Sequence, residues 1–269
     1  MVTMKKNNCE ISIIVVSLNT KVDTIKTINS ILIQSYKDYE ILVIDGKSTD
    51  GTVEFLKKNN NKINFISEKD KGIYFAMNKG VKLANSNWTI FLNSGDVFAT
   101  SKVLHNFIKS KNINYADIVY GDTIVKNKLF DRFLSGKNFS LTSTIMPFCH
   151  QSVLVRTDIL KKKLFKITYK IAADFDLFYR LFKDNKKFYY LDCVISKIVT
   201  GGISDKKRLS CLLEYFHIFY KNKNYCNIFL LFFDLIYFFL ISSIKKMLNE
   251  KLIKKILIFK YTIKNQIKN

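Results

Sequence analysis

Proline and glycine are scarce in this chain, with one Pro and nine Gly in 269 residues. That scarcity excludes a collagen-like repeat and argues against a loop-dominated, low-complexity chain. Cysteine offers no framework either. Cys9, Cys149, Cys193, Cys211 and Cys226 are odd in number, scattered, and never spaced as CxxC. Neither a disulfide scaffold nor a thiolate zinc site is indicated, and a reducing compartment is expected. Residues 1–10 are polar and lack the apolar core of a signal peptide, so a cytoplasmic location is expected. No GxxxxGKS or GxxxxGKT, no GxGxxG after the first apolar run and no HExxH occurs. P-loop NTPase, dinucleotide oxidoreductase and zinc hydrolase readings therefore fall away.

Acidic residues are also in deficit: 22 Asp and Glu face 44 Lys and Arg, for a net charge of +22. The excess points to an anionic partner (nucleic acid, anionic lipid or a phosphorylated substrate) or to a Lys-rich vocabulary spread over solvated faces. Hydrophobic residues make up 48% of the chain, enough for a sizeable core. The length suits one large α/β domain with an appendage.

What is present has a clear rhythm. ISIIVVS (residues 11–17), YEILVID (39–45), INFIS (63–67), WTIFLN (88–93) and ADIVYG (116–121) read as strands. The first is apolar on both faces, as a central parallel strand requires. Between them, Ile25, Ile28 and Leu32 have helical spacing, and Asp50 is placed to cap a helix beginning near Gly51. Ile73, Ala76, Met77 and Ala84 line one face of a third helix, where Gly80 would permit close approach. Alternating strands and helices imply βαβ crossovers and a mainly parallel sheet flanked by helices. Ligands of such sheets sit at the carboxyl ends of the strands. Ser17, Asn19, Asp45, Glu68, Asp70 and residues 93–96 all fall there.

From about residue 206 the composition changes, which predicts a catalytic region over 1–205 and a helical extension over 206–269. Residues 227–243 (NIFLLFFDLIYFFLISS) are densely aromatic and aliphatic. Lys245, Lys246, Lys251, Lys254, Lys255, Lys260, Lys264 and Lys268 then face a single acid, Glu250, with Leu252, Ile256, Ile263 and Ile267 recurring between them. The apolar run is slightly short of the ~20 residues a spanning helix needs. It also holds Asp234, and a carboxylate costs about 2.5–3.5 kcal/mol at a bilayer centre. A helix lying in the membrane interface, followed by a basic segment on anionic headgroups, is favoured over a span. A helical lid packed on the catalytic body is the alternative.

Six ordered segments, VSLN, VIDGKSTDGT, SEKDKGIYFAMNKGVKLA, IFLNSGD, CHQSVLVR and AADFDL, resemble family 2 glycosyltransferases of the GT-A fold, especially bacterial surface-polysaccharide enzymes of the colanic-acid type. The resemblance covers roughly residues 11–203. It implies an α/β, Rossmann-like GT-A domain that moves a sugar, with inversion, from a nucleotide-diphosphate-sugar donor to an acceptor hydroxyl.

Asp45 closes the second strand, where a carboxylate can accept the imide N–H of a uracil or thymine ring. The resemblance points the same way, with Ser17 and Asn19 lining the pocket; alternatively, Asp45 and Ser48 simply cap the following turn. Lys71 is either a point charge for donor phosphate or an ordinary residue of a solvated turn. Asp70 and Asn78 are carried to the nucleotide by the resemblance. Phe75 stands where many relatives have an Asp, so no carboxylate role transfers to it.

Asn93-Ser94-Gly95-Asp96 occupies the place of the family's DxD-like metal motif. A hard divalent cation, Mg2+ or Mn2+, wants oxygen ligands, and one carboxylate plus substrate phosphates can suffice. Asp96 is the expected metal ligand, with Asn93 and Gly95 beside the donor; Gly95 lets backbone approach closely. A plain turn capped by Asp96 is the alternative. Asp174 aligns with the family's catalytic carboxylate, the base that takes the acceptor hydroxyl's proton, and Asp176 is a supporting or capping residue. His150 resembles a sugar- or acceptor-contacting position and is equally readable as structural. Gly201-Gly202-Ile203-Ser204 resembles a late loop near the donor phosphates.

The expected partners are a nucleotide-sugar donor, with a UDP-sugar favoured, a saccharide or lipid-linked saccharide acceptor, and the inner face of the cytoplasmic membrane. No nucleic acid is expected. Direct transfer to polyprenyl phosphate is a competing reading. A non-catalytic basic module for membrane or nucleic acid is another, but it leaves the polar strand ends unexplained.

Overall fold

The structure, a computed structural model, describes residues 2–3, 9–127, 131–137, 146 and 148–247. The basic segment from Lys251 to Lys268, with its interleaved Leu252, Ile256, Ile263 and Ile267, lies outside the described residues, as does Glu250.

Ten strands form one sheet among the described residues: β1 (Val2–Thr3), β2 (Cys9–Ser17), β3 (Tyr39–Asp45), β4 (Asn64–Ser67), β5 (Ser86–Asn93), β6 (Val97–Phe98), β7 (Ile118–Lys126), β8 (Arg132–Leu134), β9 (Val153–Arg156) and β10 (Phe188–Val199). Their order is β1-β4-β3-β2-β5-β9-β7-β10-β6, with β8 pairing β7. The helices are α1 (Lys21–Leu32), α2 (Thr52–Lys58), α3 (Ile73–Leu83), α4 (Val103–Ile108), α5 (Thr157–Lys162), α6 (Ala173–Lys183), α7 (Ile203–Lys206), α8 (Arg208–Lys221) and α9 (Tyr225–Met247).

β2 is central because its side chains are buried on both faces. Ile11, Ile13 and Val15 enter one core with Ile28 and Ile31 of α1, Leu56 of α2 and Leu104 of α4. Ile14 and Val16 enter the other, with Met77 of α3, Leu160 of α5 and Phe175 of α6. Two helical layers thus sandwich the sheet. The α3 layer is unusually close: a Cβ at Gly80 would lie 2.6 Å from Ile14 Cγ2.

β2 pairs in parallel with β3 and β5, and β3 with β4. Beyond β5 the order changes. β9 runs antiparallel to both neighbours, Thr89 facing Val155 and Val119 facing Leu154. Parallel pairing then resumes between β7 and β10.

The C-terminal helices share the second core. Cys211, Leu212, Tyr215, Ile218 and Phe219 of α8 and Leu231 of α9 are buried in the cluster that holds Phe175, Phe178 and Tyr179 of α6. The Tyr215 and Phe175 ring centroids are 4.4 Å apart. No helix of the described residues is long and apolar enough to cross a membrane.

Candidate active site

Register brings the polar strand ends together. Ser17 of β2 sits beside Asp45 of β3, which sits beside Ser67 of β4, while Val16 pairs with Asn93 of β5. Asp45 is fully buried. Its carboxylate accepts the Ser48 N–H at 2.9 Å, the Ser48 hydroxyl, and the Ser67 hydroxyl at 2.6 Å. Asn19, in the left-handed region at φ 49°, donates its N–H to Ser48 Oγ at 2.8 Å and accepts the Thr49 N–H at 2.8 Å. The loops after β2 and β3 are therefore stitched to each other.

Hydroxyls continue the seam. Ser17 Oγ lies 2.8 Å from Thr24 Oγ1, which lies 3.0 Å from Ser94 Oγ. This explains why α1 buries Thr24 and Thr27 as well as Ile28 and Ile31. The turn of residues 93–96 is closed by the Asp96 N–H on the Asn93 carbonyl at 2.9 Å. Gly95 has φ +98°, which an L side chain rarely adopts, and its N–H donates to Thr27 Oγ1 at 2.9 Å.

The next residues come from distant parts of the chain. The short turn His150–Ser152 precedes β9 and presents two adjacent side chains. Gln151 Nε2 donates to Asp96 Oδ2 at 2.9 Å. His150 Nδ1 lies 3.1 Å from Asp174 Oδ2 at the start of α6. Asn93 Nδ2 approaches His150 Nε2 at 3.3 Å. His150 thus bridges Asn93 at the end of β5 to Asp174 at the start of α6. On its other oxygen, Asp174 accepts the Phe175 N–H at 2.8 Å. The Tyr74 hydroxyl shares its proton between the Ile171 carbonyl at 2.7 Å and Asp174 Oδ1 at 3.2 Å. Burial, then the Asp174 charge, holds the Tyr74 phenol well above its ordinary pKa. Asp96 is only 7% exposed. Burial pushes its carboxyl up to about 6, against the hydrogen bond from Gln151.

The remaining expected residues fall in different places. Asn78 spends its carboxamide on the backbone of Phe165, donating to the carbonyl at 2.8 Å and accepting the N–H at 2.9 Å. It thereby fixes the loop between α5 and α6, and Phe165 in turn stacks on Tyr74. Asp70 pairs with Lys79 at 2.7 Å, and Lys79 also takes Glu68 at 2.6 Å. Asp70 Oδ2 is buried with no hydrogen-bond partner. Lys71 is exposed. Asp176 is buried and pairs with Arg180 at 2.7 Å and Lys166 at 3.1 Å, a structural tie within and beside α6. Gly201 donates its N–H to Asp205, and residues 201–204 are exposed.

Sequence reasoning passed over Tyr74, Lys79 and the Gln151 link to Asp96. Among the described residues no group of three or more His, Cys, Asp or Glu gathers for a metal. Asp96 has beside it, in the same turn, the buried and unpartnered Asn93 Oδ1. One carboxylate and one neutral oxygen are too few to hold a cation alone. They fit an ion such as Mg2+, which draws its other ligands from phosphate and water.

Comparison with known proteins places this geometry. The chain is 30% identical to a PGL/p-HBAD biosynthesis glycosyltransferase of Mycobacterium tuberculosis over 183 residues, covering 64% of this chain and 70% of that one. It is 27% identical to an uncharacterized glycosyltransferase of Rickettsia conorii over 205 residues, covering 73% of this chain and 34% of the other. In fold it is similar to S. aureus TarS 1-349 in complex with UDP, with a TM-score of 0.60 at 19% identity, over 76% of this chain and 65% of that chain. A similar match, TM-score 0.60 at 14% identity, links it to the mannosyltransferase PcManGT from Pyrobaculum calidifontis in complex with GDP-Man and Mn2+, over 81% of this chain and 65% of that chain. It thus spans just under two thirds of each of these two structures. The glycosyl transferase family 2 model matches residues 12–184. That stretch runs from β2 to the end of α6 and takes in the strand-end seam, the 93–96 turn, His150, Gln151 and Asp174, so the chain belongs to glycosyl transferase family 2 and is a glycosyltransferase.

Proposed function

We propose that the enzyme transfers a sugar with inversion from a nucleoside-diphosphate sugar, UDP-linked in preference, to an acceptor hydroxyl, with Asp174 as base. The observation that carries this reading is the His150–Gln151 bridge. One short turn ties Asp174 on α6 to Asp96 at the end of β5, so a proton acceptor and a cation ligand share one crevice. The ligands of the structural neighbours, UDP, UDP-GlcNAc and GDP-Man, support a nucleotide-sugar donor.

In this mechanism the acceptor oxygen attacks the anomeric carbon while its proton passes to Asp174, and the bond from that carbon to the diphosphate oxygen breaks. Asp174 is held on both oxygens yet keeps its side chain 21% exposed, so it is oriented without being closed off. His150 fixes one carboxylate oxygen. Asp96 with Asn93 Oδ1 would hold a divalent cation, which supplies charge neutralisation on the departing diphosphate. The Mn2+ in the archaeal neighbour supports that assignment. Gly95 gives the donor close access to backbone. Ser17, Asn19 and Asp45 form the floor of the base subsite, Asp70 offers its unpaired oxygen to the nucleoside, and Lys71 is free to approach phosphate. Asn78 acts at one remove, through Phe165.

The same proposal assigns residues 206–269 to peripheral attachment on an anionic bilayer. Leu209, Leu213, Phe216 and Tyr220 of α8, spaced i, i+4, i+7, i+11, are all exposed. So are Phe229, Phe232, Phe233, Ile236, Phe239 and Leu240 of α9. Exposed side chains of this kind along two successive helices offer the apolar face that an interfacial helix lays into lipid, and the lysines of the chain end follow it in sequence. A second copy suits the face poorly, since it would oppose two chains of net charge +22. An acceptor carried on a lipid fits this placement.

The test is nucleoside-diphosphate release from a panel of UDP- and GDP-sugars, with saccharide and lipid-linked acceptors. Asp174→Asn should lower turnover by about 10²–10⁴-fold with donor affinity unchanged. Full turnover by that variant would remove Asp174 as base.

A further inference from the structure

We propose that Glu214 of α8 is a positioning residue for Asp174, so that the C-terminal helices complete the active site as well as attaching it. The inference rests on Asp174 being the base.

The first N–H groups of a helix have no partner within it. At α6 the N-cap is Ala172, which makes no side-chain cap. The backbone leading into the helix is held instead from 42–44 residues further along the chain. Glu214 Oε1 accepts the Lys170 N–H at 2.8 Å, and Oε2 accepts those of Ile171 at 3.0 Å and Ala172 at 2.8 Å. Three successive N–H groups converge on one carboxylate, a nest of charge-assisted hydrogen bonds.

The backbone so held leads directly to the base. The Ile171 carbonyl is the nearer acceptor of the Tyr74 hydroxyl, whose proton is shared with Asp174 Oδ1. The Ala172 carbonyl accepts the Asp176 N–H at 3.0 Å and so starts the turn that carries Asp174. Packing gives Glu214 a rigid base, since its neighbour Tyr215 is buried against Phe175. Displacing the 170–172 backbone therefore moves both the tyrosine contact and the helix start on which Asp174 sits.

A purely structural role would fasten α8 to the body without bearing on the chemistry, and kinetics separate the two. Glu214→Gln keeps the shape and one acceptor oxygen but turns an NH2 toward a backbone N–H. In the full chain, followed by nucleoside-diphosphate release from the donor selected above, we expect kcat to fall at least tenfold with donor KM within twofold. Tyr74→Phe should lower kcat as well, and the double variant should be no worse than the poorer single. Leu212→Ala loosens the buried face of α8 while leaving the Glu214 hydrogen bonds to the loop in place; it should lower the melting temperature and leave kcat within twofold. Should Glu214→Gln not fold, Glu214→Asp, which withdraws both oxygens by one methylene, is read the same way.

Wild-type kcat in the Glu214 variant, an equal kcat loss in Leu212→Ala, or losses at Glu214 and Tyr74 that simply multiply would each overturn the inference. If Asp174→Asn is inactive while the Glu214 variant is normal, this inference alone fails. Retained turnover in Asp174→Asn would remove the base assignment and this inference with it.

Discussion

Replacing Asp96 with Asn should make the cation-free enzyme more stable at neutral pH, by an amount that vanishes in acid. Asp96 is 7% exposed, and burial raises its carboxyl from 3.8 to about 6. The folded state therefore binds this proton more tightly than the unfolded chain. The stability the protonated group contributes is complete below about pH 4 and is lost as pH rises through about 6. At roughly 1.4 kcal/mol per pH unit, the shift of about two units corresponds to about 3 kcal/mol of cost at pH 7.5. Asn removes the charge but returns only one acceptor oxygen to its donors, so the net gain should be about 1–2 kcal/mol. For a chain of this size that is a rise of about 2–8 °C in melting temperature.

The assay is a pair of thermal melts in EDTA at about pH 4 and pH 7.5, read as the difference between variant and wild type so that every other titrating group cancels. Adding Mg2+ or Mn2+ should reverse the order. A ligand at a hundred times its dissociation constant stabilises the wild type by about 2.7 kcal/mol, and the variant should gain little. A variant-minus-wild-type difference that stays flat between the two pH values would refute the burial argument. Equal stabilisation of both proteins by the cation would remove Asp96 as its ligand.

Two further outcomes test the packing and the proposed membrane face. Gly80→Ala places a Cβ 2.6 Å from Ile14 Cγ2 and 3.1 Å from its Cδ1. Helix propensity favours Ala by about 1 kcal/mol, but overpacking costs about 1–3 kcal/mol, so urea denaturation should show a net loss; a more stable variant would mean that α3 does not press on β2. Phe232 and Phe233, 58% and 53% exposed, should each contribute about 1 kcal/mol or more to burial in lipid. Phe232→Ser with Phe233→Ser should therefore weaken co-sedimentation with anionic vesicles at least about tenfold. Wild-type binding that is no stronger to anionic than to zwitterionic vesicles would count against the basic anchor.

The strands were legible where burial is two-sided. Ile13 to Val16 and Ile41 to Ile44 are unbroken apolar runs because both faces meet helices, and β3 has the bounds its sequence suggests. β10 was not legible: its burial pattern is irregular, and its register against β7 shifts between Tyr190 and Ser196, which destroys the alternation that marks a strand. The antiparallel direction of β9 was equally hidden, since four residues of VLVR carry no sign of which way they run. In the site, the carboxylates could be picked out but their partners could not. The alternative at Asp45, a cap on Ser48, was visible because it acts across three residues. The Gln151 contact with Asp96 spans 55 residues and that of Tyr74 with Asp174 spans 100. Only the folded sheet makes such neighbours. Asn78 shows the converse: its motif suggests a nucleotide, and its amide is bound to the backbone of Phe165.

The overall charge of +22 and the charge of the crevice point in opposite directions, and the difference bears on what the proposed reaction needs. Asp96 and Asp174 are both acidic, and the donor would add a diphosphate. Against these, Lys79 is already matched to Glu68 and Asp70. Arg180 and Lys166 are matched to Asp176. Like charges about 4 Å apart repel by roughly 4 kcal/mol even at an effective dielectric of 20. The distributed lysines can draw an anionic donor or bilayer toward the protein, but they do not neutralise the place where the leaving charge develops. If a divalent ion sits beside Asp96 as proposed, it would be bound more weakly as pH falls below about 6, where it must displace a proton.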